Sequence, residues 1–297
     1  MYIPPKLSTA VTNRWNDKGA KWLEELPSIV NRCEDRMRIT VGTPFENAYC
    51  NFVAEAKRPN GESAILKIGY PASEIHTEIQ ALDAFNGQKS IKILERDNET
   101  CSILLEKVEP GYDLTTIKDD EEATTIAAEV MKVLPATPPT QHTLPTVTKW
   151  LDVTERIGDD HDIPRELIEK ARATHHALEA TKSCERVLHG DLHHENILYD
   201  EERGWLTIDP QGVIGDPICE VGAFFYNPEG ISQNPNIENI FMQRATIFAE
   251  TLQTNISRVI GRAFVQSVIS CCWSVENNEE YDIVCVRTLE KLIDRNS

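Results

Sequence analysis

The sequence lacks the features that mark membrane, secreted and disulfide-linked proteins. Its 297 residues contain no apolar run of about 18 residues, the length that spans a bilayer. The amino terminus, from Met1 to Lys6, lacks the basic and then apolar layout of a signal peptide, so we expect a cytoplasmic protein. None of the 8 cysteines stands in a Cys-x-x-Cys spacing, which favours reduced, mostly buried thiols over disulfides or a metal site.

Basic residues are scarce relative to acidic ones. The chain has 30 Lys and Arg against 48 Asp and Glu, a formal net charge of −18. A field of this sign repels nucleic acid and anionic lipid and attracts cations. We therefore expect no nucleic-acid partner and no membrane partner. Solubility alone explains such acidity, and a small cationic ligand is the alternative; the composition indicates no particular oligomeric state.

Two polar segments, each preceded by apolar residues, stand out in the second half of the chain. The first reads His189-Gly190-Asp191-Leu192-His193-His194-Glu195-Asn196, and the second reads Ile208-Asp209-Pro210. Phosphoryl transfer from a nucleotide needs a carboxylate that orients the attacking hydroxyl, and an Asn and an Asp that hold magnesium at the phosphates. The pattern predicts a small-molecule kinase in which Asp191 is the catalytic base and Asn196 and Asp209 bind Mg²⁺.

The first segment is similar to the His-x-Asp-x-x-x-x-Asn catalytic loop of protein kinases, and closer to the His-Gly-Asp-Leu-His loop of the aminoglycoside phosphotransferase superfamily. Within that superfamily the chain most resembles the streptomycin 6-phosphotransferase and hydroxyurea phosphotransferase group. This narrower resemblance rests on the loop and on three further runs: Lys21-Trp22-Leu23-Glu24-Glu25-Leu26-Pro27, Gly204-Trp205-Leu206 and Gly215-Asp216-Pro217. It spans nearly the whole chain.

The resemblance implies an α+β, two-lobed, protein-kinase-like fold, with a small antiparallel-sheet amino-terminal lobe that carries one helix and a larger, mainly helical carboxy-terminal lobe. The order of the sequence patterns agrees with it. One helical run from 72 or 73 to 85 stands among strand-like runs at 38–41, 49–56, 63–68, 91–94 and 102–106. A break at Glu109-Pro110-Gly111 suits a hinge. We place the nucleotide-binding lobe at 1–107 and the second lobe at 108–297.

Helical periodicity dominates both ends of the chain. Residues 1–37 form an extension of the first lobe, in which 13–36 are predicted as two helical pieces broken at Pro27. After the hinge, helices are predicted at 119–134, 148–157 and 165–181, and the last three at about 235–255, 257–275 and 278–293.

The nucleotide contacts start from Lys67, which ends an apolar strand. A lysine there is costly unless its ammonium is paired. The resemblance pairs it with the α- and β-phosphates of a nucleotide and with a helix glutamate, Glu78. Glu74, one turn earlier, shares the same helical face and is the competitor.

Adenine is expected to bond the backbone around Glu106, Lys107 and Val108, a contact that leaves both ATP and GTP open. The segment 42–48, where a phosphate-covering loop belongs, has one glycine and matches neither the Gly-x-Gly-x-x-Gly loop nor the Walker loop. The expected cofactors are ATP and Mg²⁺.

Supporting roles follow from the resemblance. It implies that the His189 ring bonds backbone near the segment that begins at Ile208-Asp209-Pro210, called the metal loop, and is not a base. The adjacent His193 and His194 suggest a metal pair, but neighbouring side chains in an extended loop point apart. A place near the transferred phosphate is one alternative for His193, and His194 is assigned to packing. Asp216, in a turn that resembles the family's, is predicted to orient its neighbours and not to bind metal.

A cationic acceptor needs carboxylates at the cleft. The candidates lie after the metal loop and near the last two helices, with one at the hinge: Asp113, Glu220, Glu276, Glu279, Glu280 and Asp282. Trp273 is either a core residue or a stacking surface for a planar guanidinium.

The resemblance implies transfer of a γ-phosphate to an aminoglycoside hydroxyl, with streptomycin modified at its 6-position and antibiotic resistance as the result. Alternatives are a kinase for hydroxyurea or for an unidentified metabolite alcohol, and a non-catalytic pseudokinase. A protein kinase is disfavoured because no Ala-Pro-Glu element follows Asp209.

Overall fold

A five-stranded antiparallel sheet forms the amino-terminal lobe. The computed structural model describes residues 1–71, 75–158 and 161–296. In it the sheet has the order β1-β2-β3-β5-β4, with the bounds β1 (Thr40–Pro44), β2 (Asn51–Lys57), β3 (Ser63–Gly69), β4 (Ile93–Asp97) and β5 (Ser102–Glu106).

Strand alternation along β3 decides what each face of this sheet does, because successive side chains point to opposite faces. Leu66 and Ile68 are fully buried in a cluster with a helical segment, α1 (Pro5–Met37). Between them, Lys67 points to the opposite face, where α2 (Ile75–Phe85) packs. The predicted start of this helix, at 72 or 73, lies outside the described residues.

The predicted break of the first helix at Pro27 is wrong. Helical geometry continues through Pro27, and the interruption falls at Asn16, with φ 51° and ψ −133°. Leu26 and Ile29, on either side of the proline, are both buried in the cluster that covers the sheet. Packing on both sides therefore holds the helix together although the proline removes one backbone hydrogen bond.

The carboxy-terminal lobe is mainly helical. The long helix α9 (Ile256–Glu276) lies at its centre, with 13 buried residues. Around it stand α3 (Asp120–Val133), α4 (Val147–Trp150), α5 (Val153–Arg156), α6 (Arg165–Glu179), α7 (Gly222–Phe225), α8 (Ile237–Thr251) and α10 (Val284–Asn296). Among the described residues, no helix has both the length and the apolar character that crossing a membrane requires.

Two small antiparallel sheets carry the polar segments found in the sequence. One has the order β6-β8-β9, with β6 (Pro110–Asp113), β8 (Ile197–Asp200) and β9 (Gly204–Thr207). The other pairs β7 (Arg186–Leu188) with β10 (Val213–Gly215). The catalytic segment thus runs from the end of β7 to the start of β8, and Asp209 lies between β9 and β10.

Three boundaries differ from the sequence-based predictions. The predicted hinge break at Glu109-Pro110-Gly111 overlaps the start of the strand β6, which pairs with β8. The predicted helix 148–157 is split into α4 and α5, because the segment between them forms tighter turns, with Asp152 N–H donating to Lys149 O over 3.2 Å. The last helix begins at Val284 instead of 278, after Asn278 adopts the left-handed φ of 56°. The α+β architecture itself is confirmed.

Candidate active site

A buried lysine joins the two lobes at the base of the cleft. Lys67 on β3 is 3 % exposed, and its Nζ lies 2.6 Å from Glu78 Oε2 and 2.5 Å from Asp209 Oδ1. Glu78 comes from α2 in the first lobe, whereas Asp209 comes from the second lobe. The pairing of Lys67 with Glu78 is the one the sequence favoured; the competitor Glu74 lies outside the described residues.

The three charges of this group reinforce one another. Burial lowers the pKa of Lys67, but Asp209 and Glu78 outweigh it and the net pKa lies above the usual value. Burial likewise raises the pKa of Asp209, and the Lys67 ammonium overcomes this and lowers the net pKa. The lysine therefore stays protonated and Asp209 stays ionised at neutral pH.

The catalytic segment is tied to the metal loop through its first histidine. His189 is fully buried, and its Nε2 lies 2.7 Å from the carbonyl oxygen of Ile208. Its Nδ1 accepts the backbone N–H of Asp191 over 3.3 Å. Burial lowers the pKa of His189 to about 4, so the ring is neutral and its one proton sits on Nε2, facing the carbonyl. This arrangement is the backbone-bonding role that the resemblance implied for His189.

Asn196 is oriented within the same loop. Its Nδ2 donates to the carbonyl oxygen of Asp191 over 2.8 Å, and the backbone carbonyl of Asn196 accepts from Ile208 N–H over 3.0 Å. With its amide nitrogen fixed in this way, the amide oxygen is the end that can face a cation. The Asp209 side chain is 58 % exposed to the cleft. These two oxygen donors fit Mg²⁺, which takes few protein ligands and completes its shell with phosphates and water.

Glu220 lies behind the catalytic segment and holds its backbone. It is 1 % exposed; Oε1 accepts His189 N–H over 2.6 Å and Oε2 accepts Gly190 N–H over 3.1 Å. Burial raises the pKa of this carboxyl to about 7, against the effect of the two N–H groups. The sequence suggested Glu220 as an acceptor contact; the structure places it where it positions the backbone just before Asp191.

Two glycines near the site were not singled out by the sequence analysis. Gly212 has a φ of 74°, and a Cβ there would lie 2.4 Å from the carbonyl oxygen of Thr77 on α2. Gly190 has a φ of 85°, and its Cβ would lie 2.5 Å from the ring of Trp150. The signal available in the sequence was that each glycine lies within three residues of an aspartate of the site, Asp191 or Asp209. Glycine is common where the backbone approaches another group closely.

Histidines and Asp216 surround this centre. The His193 Nε2 lies 3.8 Å from Asp191 Oδ2 and 3.1 Å from Asn196 Nδ2. His194 is 3 % exposed and stacks on Phe224 with ring centroids 4.0 Å apart. Asp216 is buried, caps the short helix Pro217–Val221 through Ile218 N–H, and pairs with Arg258 over 2.8 Å.

The hinge holds the residues predicted to meet adenine. Val108 is buried, and Lys107 Nζ lies 2.6 Å from Glu55 Oε1. Glu106 Oε1 accepts Lys92 N–H over 2.9 Å and also accepts from Arg203. These contacts fix the end of β5 at the mouth of the cleft; the role of its backbone in binding adenine stays a prediction.

The carboxylates proposed for the acceptor differ in their surroundings. Asp113 caps the short helix Leu114–Thr116, and Asp282 accepts Val284 N–H over 2.8 Å at the start of α10. Glu276 pairs with Arg156 at 2.6 Å, and Glu279 accepts the hydroxyl of Tyr49. Glu280 is exposed. The contact from Tyr49, in the loop between β1 and β2, places the end of α9 and its following loop at the opening between the lobes.

Several known proteins are similar in sequence to this chain. The streptomycin 6-kinase of Streptomyces griseus is 25% identical over 285 residues, covering 93% of this chain and 92% of the relative. The hydroxyurea phosphotransferase of Kitasatospora aureofaciens is 28% identical over 288 residues, covering 93% and 81%.

Solved structures agree on the architecture. A choline kinase, LicA, from Streptococcus pneumoniae superposes with a TM-score of 0.63 at 16% identity, covering 91% of this chain and 98% of that one. A ternary complex of a thermostable mutant of aminoglycoside phosphotransferase APH(4)-Ia with ADP and hygromycin B gives a TM-score of 0.62 at 11% identity, covering 91% and 99%. The kinase-like fold is therefore confirmed.

Residues 41–278 match the family described as aminoglycoside/hydroxyurea antibiotic resistance kinase. This match covers most of the chain and includes every residue of the group around Lys67 and Asp191. The chain belongs to that family and is a phosphotransferase.

Proposed function

We propose that the protein transfers the γ-phosphate of ATP to the 6-hydroxyl of streptomycin and thereby confers resistance to it. The observation that carries this proposal is the grouping of Lys67, Glu78 and Asp209 at the base of one cleft with Asp191 and Asn196 on the adjoining loop. The streptomycin kinase of Streptomyces griseus, similar over nearly the full length of both chains, supports the choice of acceptor.

In this proposal Asp191 holds the acceptor hydroxyl in line with the γ-phosphorus. The hydroxyl oxygen forms a bond to phosphorus while the bond from phosphorus to the β,γ-bridging oxygen breaks, releasing ADP. The hydroxyl proton passes to the Asp191 carboxylate. Lys67, kept protonated by its two carboxylates, binds phosphate oxygens and reduces the repulsion between the nucleotide and the acidic protein.

Asn196 and Asp209 would hold Mg²⁺ through their side-chain oxygens. When bound, the ion neutralises charge on the β- and γ-phosphates as the leaving group departs. Because Asp209 pairs with Lys67 and is also exposed to the cleft, its second oxygen can meet a cation without breaking the buried pair.

The acceptor is expected to be cationic, since the chain carries a net charge of −18 and streptomycin carries two guanidinium groups. A second candidate acceptor is hydroxyurea, favoured by the 28% identity to a hydroxyurea phosphotransferase. Both reactions use the same nucleotide half of the cleft.

The test is ADP release from ATP and Mg²⁺ in the presence of streptomycin or hydroxyurea, with the phosphorylated position located by NMR. Streptomycin-dependent release that Asp191→Asn lowers by about 10²–10⁴-fold supports the proposal. Substituting exposed Glu250 on α8 by Gln is the matched control and should leave the rate unchanged. Turnover with hydroxyurea alone would select the second candidate, and nucleotide binding without turnover on either would overturn both.

A further inference from the structure

Two tryptophans form a wall beside the catalytic segment. The Trp150 ring packs directly on Gly190, the residue before Asp191, where an added Cβ would meet it at 2.5 Å. Trp273 contacts Trp150 edge to face, with ring centroids 5.3 Å apart and an interplanar angle of 78°. Both rings are half-buried, so this wall joins the core to the cleft next to the catalytic aspartate.

An ion pair continues this wall outward. Glu276 follows Trp273 by one helical turn on α9, and Arg156 lies on α5, just beyond the helix that carries Trp150. Arg156 Nε lies 2.6 Å from Glu276 Oε1, and its second nitrogen lies 3.0 Å from Oε2. Both contacts together form the bidentate geometry in which a carboxylate recognises a guanidinium group.

The pair lies at the opening of the cleft. The two side chains are 50 % and 38 % exposed. Three residues along from Glu276, Glu279 accepts the hydroxyl of Tyr49 from the facing lobe. The hydrogen bond from Arg156, and to a smaller extent the charge of Arg14 in the first lobe, lower the pKa of Glu276, so this carboxylate is ionised at neutral pH.

We propose that Glu276 is the cation-binding residue of the acceptor site, and that Arg156 occupies its carboxylate until a guanidinium-bearing acceptor replaces it. This inference rests on the proposed function in that the acceptor is taken to enter this cleft. The replacement keeps the carboxylate in a bidentate pair, so it exchanges one contact for an equivalent one. An exposed ion pair of this kind contributes little to the free energy of folding, so replacing Arg156 by the acceptor costs little stability.

Removing the two partners has opposite effects in this arrangement. Glu276→Gln removes the binding carboxylate and is expected to weaken binding of N-methylguanidine about fivefold. Arg156→Gln removes the internal competitor and is expected to strengthen it by a similar factor. If the ion pair only braces the helices, both substitutions shift binding in the same direction or not at all, and the proposal is overturned.

Ligand-observed NMR titration measures these dissociation constants directly on the full-length protein. N-methylurea, planar and of similar size but uncharged, is the matched ligand, and it should bind weakly and respond to neither substitution. Glu250→Gln and Arg165→Gln are the matched control variants, since both residues are exposed and each substitution changes the net charge by the same amount as the corresponding test variant, Glu276→Gln or Arg156→Gln. Thermal unfolding of each variant establishes that the fold is intact. Equal binding of the two small molecules would overturn the proposal.

A failure of the proposed function gives a different result. Streptomycin turnover reports the acceptor identity, whereas N-methylguanidine binding reports the Glu276 site without any chemistry. If streptomycin is not phosphorylated but the opposite shifts appear, the acceptor is another guanidinium-bearing alcohol and the inference stands. If streptomycin is phosphorylated, its KM should rise in Glu276→Gln and fall in Arg156→Gln with kcat nearly unchanged. Parallel changes in KM would overturn the inference alone.

Discussion

The Nε2 of His189 donates a hydrogen bond to the carbonyl oxygen of Ile208 over 2.7 Å and thereby joins the two segments that carry the reactive groups. Asp191 follows the donor by two residues, and Asp209 follows the acceptor directly. Because the ring is fully buried and neutral, this distance does not depend on pH near neutrality. This side chain therefore helps to set the relative position of the two aspartates, together with the backbone hydrogen bond from Ile208 N–H to the carbonyl oxygen of Asn196.

We expect His189→Leu to lower kcat by about 10–100-fold while the KM for ATP changes little. The substitution removes the hydrogen bond to Ile208 and leaves that carbonyl oxygen unpaired, which costs about 1–3 kcal/mol of folding free energy. Steady-state kinetics and urea unfolding measure the two effects. His142→Leu, at an exposed position, is the control. Unchanged kcat in His189→Leu would show that the two loops keep their spacing without the ring.

Replacing Lys67 alone is expected to destabilise the protein more than replacing Lys67 and Glu78 together. Lys67→Met leaves Glu78, which is 3 % exposed, as a buried carboxylate without its cation, and breaking such a pair costs about 3–5 kcal/mol. The double variant Lys67→Met, Glu78→Leu removes both charges and should recover most of that loss. Urea unfolding of the two single variants and the double variant gives the coupling energy. Additive effects would contradict the pairing.

Much of this site follows from sequence because its chemistry uses side chains at fixed spacings. Strand alternation places Lys67 on the face opposite Leu66, and the Asp191 to Asn196 spacing is equally local. These two relationships depend on neighbours a few residues apart, so periodicity and motif are sufficient to predict them. Helical periodicity does not distinguish Glu78 from Glu74 as the partner of Lys67, and the choice of Glu78 came from the resemblance to the kinase family.

The remaining features depend on contacts between distant segments. Glu220 accepts hydrogen bonds from two backbone N–H groups that lie 30 and 31 residues earlier in the chain. Every residue except proline has such a group, so the sequence does not indicate which ones Glu220 will bind. The helix passes through Pro27 because buried side chains on both sides hold it, which local propensity does not reveal. Likewise, the position of Trp150 on Gly190 is known only once the lobe is packed.

Glu220 is expected to give the folding free energy a distinctive pH dependence. Burial raises its pKa to about 7 from the ordinary 4.5. Between these values the folded protein holds a proton that the unfolded chain has released, so this contribution favours folding in acid and is lost as the pH rises through 7. Its size is about 3 kcal/mol, at 1.36 kcal/mol for each pKa unit.

Glu220→Gln removes this titration. Buried histidines have lowered pKa values and change stability in the opposite direction, but they are present in both proteins and cancel in the comparison. We therefore expect the free energy of unfolding, measured in urea at pH 5 and pH 8, to fall more with rising pH in the original protein than in the variant. The introduced glutamine side chain has one acceptor oxygen and one NH2 group, so it cannot accept from both His189 N–H and Gly190 N–H. Since one of these backbone groups before Asp191 loses its partner, kcat should fall about tenfold. Parallel pH profiles would place the Glu220 pKa near its ordinary value.

Gly212→Ala and Gly204→Ala separate backbone strain from steric contact. The two glycines have nearly the same φ, 74° and 73°, so an alanine at either one costs about 1–2 kcal/mol for the left-handed backbone. Around Gly204 a Cβ meets nothing within 4 Å, whereas at Gly212 it would lie 2.4 Å from the Thr77 carbonyl oxygen. Thr77 lies in the first turn of α2, and the residue that follows it is Glu78.

A Cβ at Gly212 therefore forces the metal loop away from the helix that positions Lys67. We expect the free energy of unfolding of Gly204→Ala, measured in urea, to fall only by the cost of the left-handed backbone, and its kcat to stay unchanged. Gly212→Ala should lose more stability and, since Asp209 moves relative to Lys67, at least tenfold in kcat/KM for ATP. Because the backbone term is shared, the difference between the two variants measures the contact with Thr77. Equal losses in both variants would mean that this loop and α2 can separate without consequence, and the close approach would then have no part in holding Asp209.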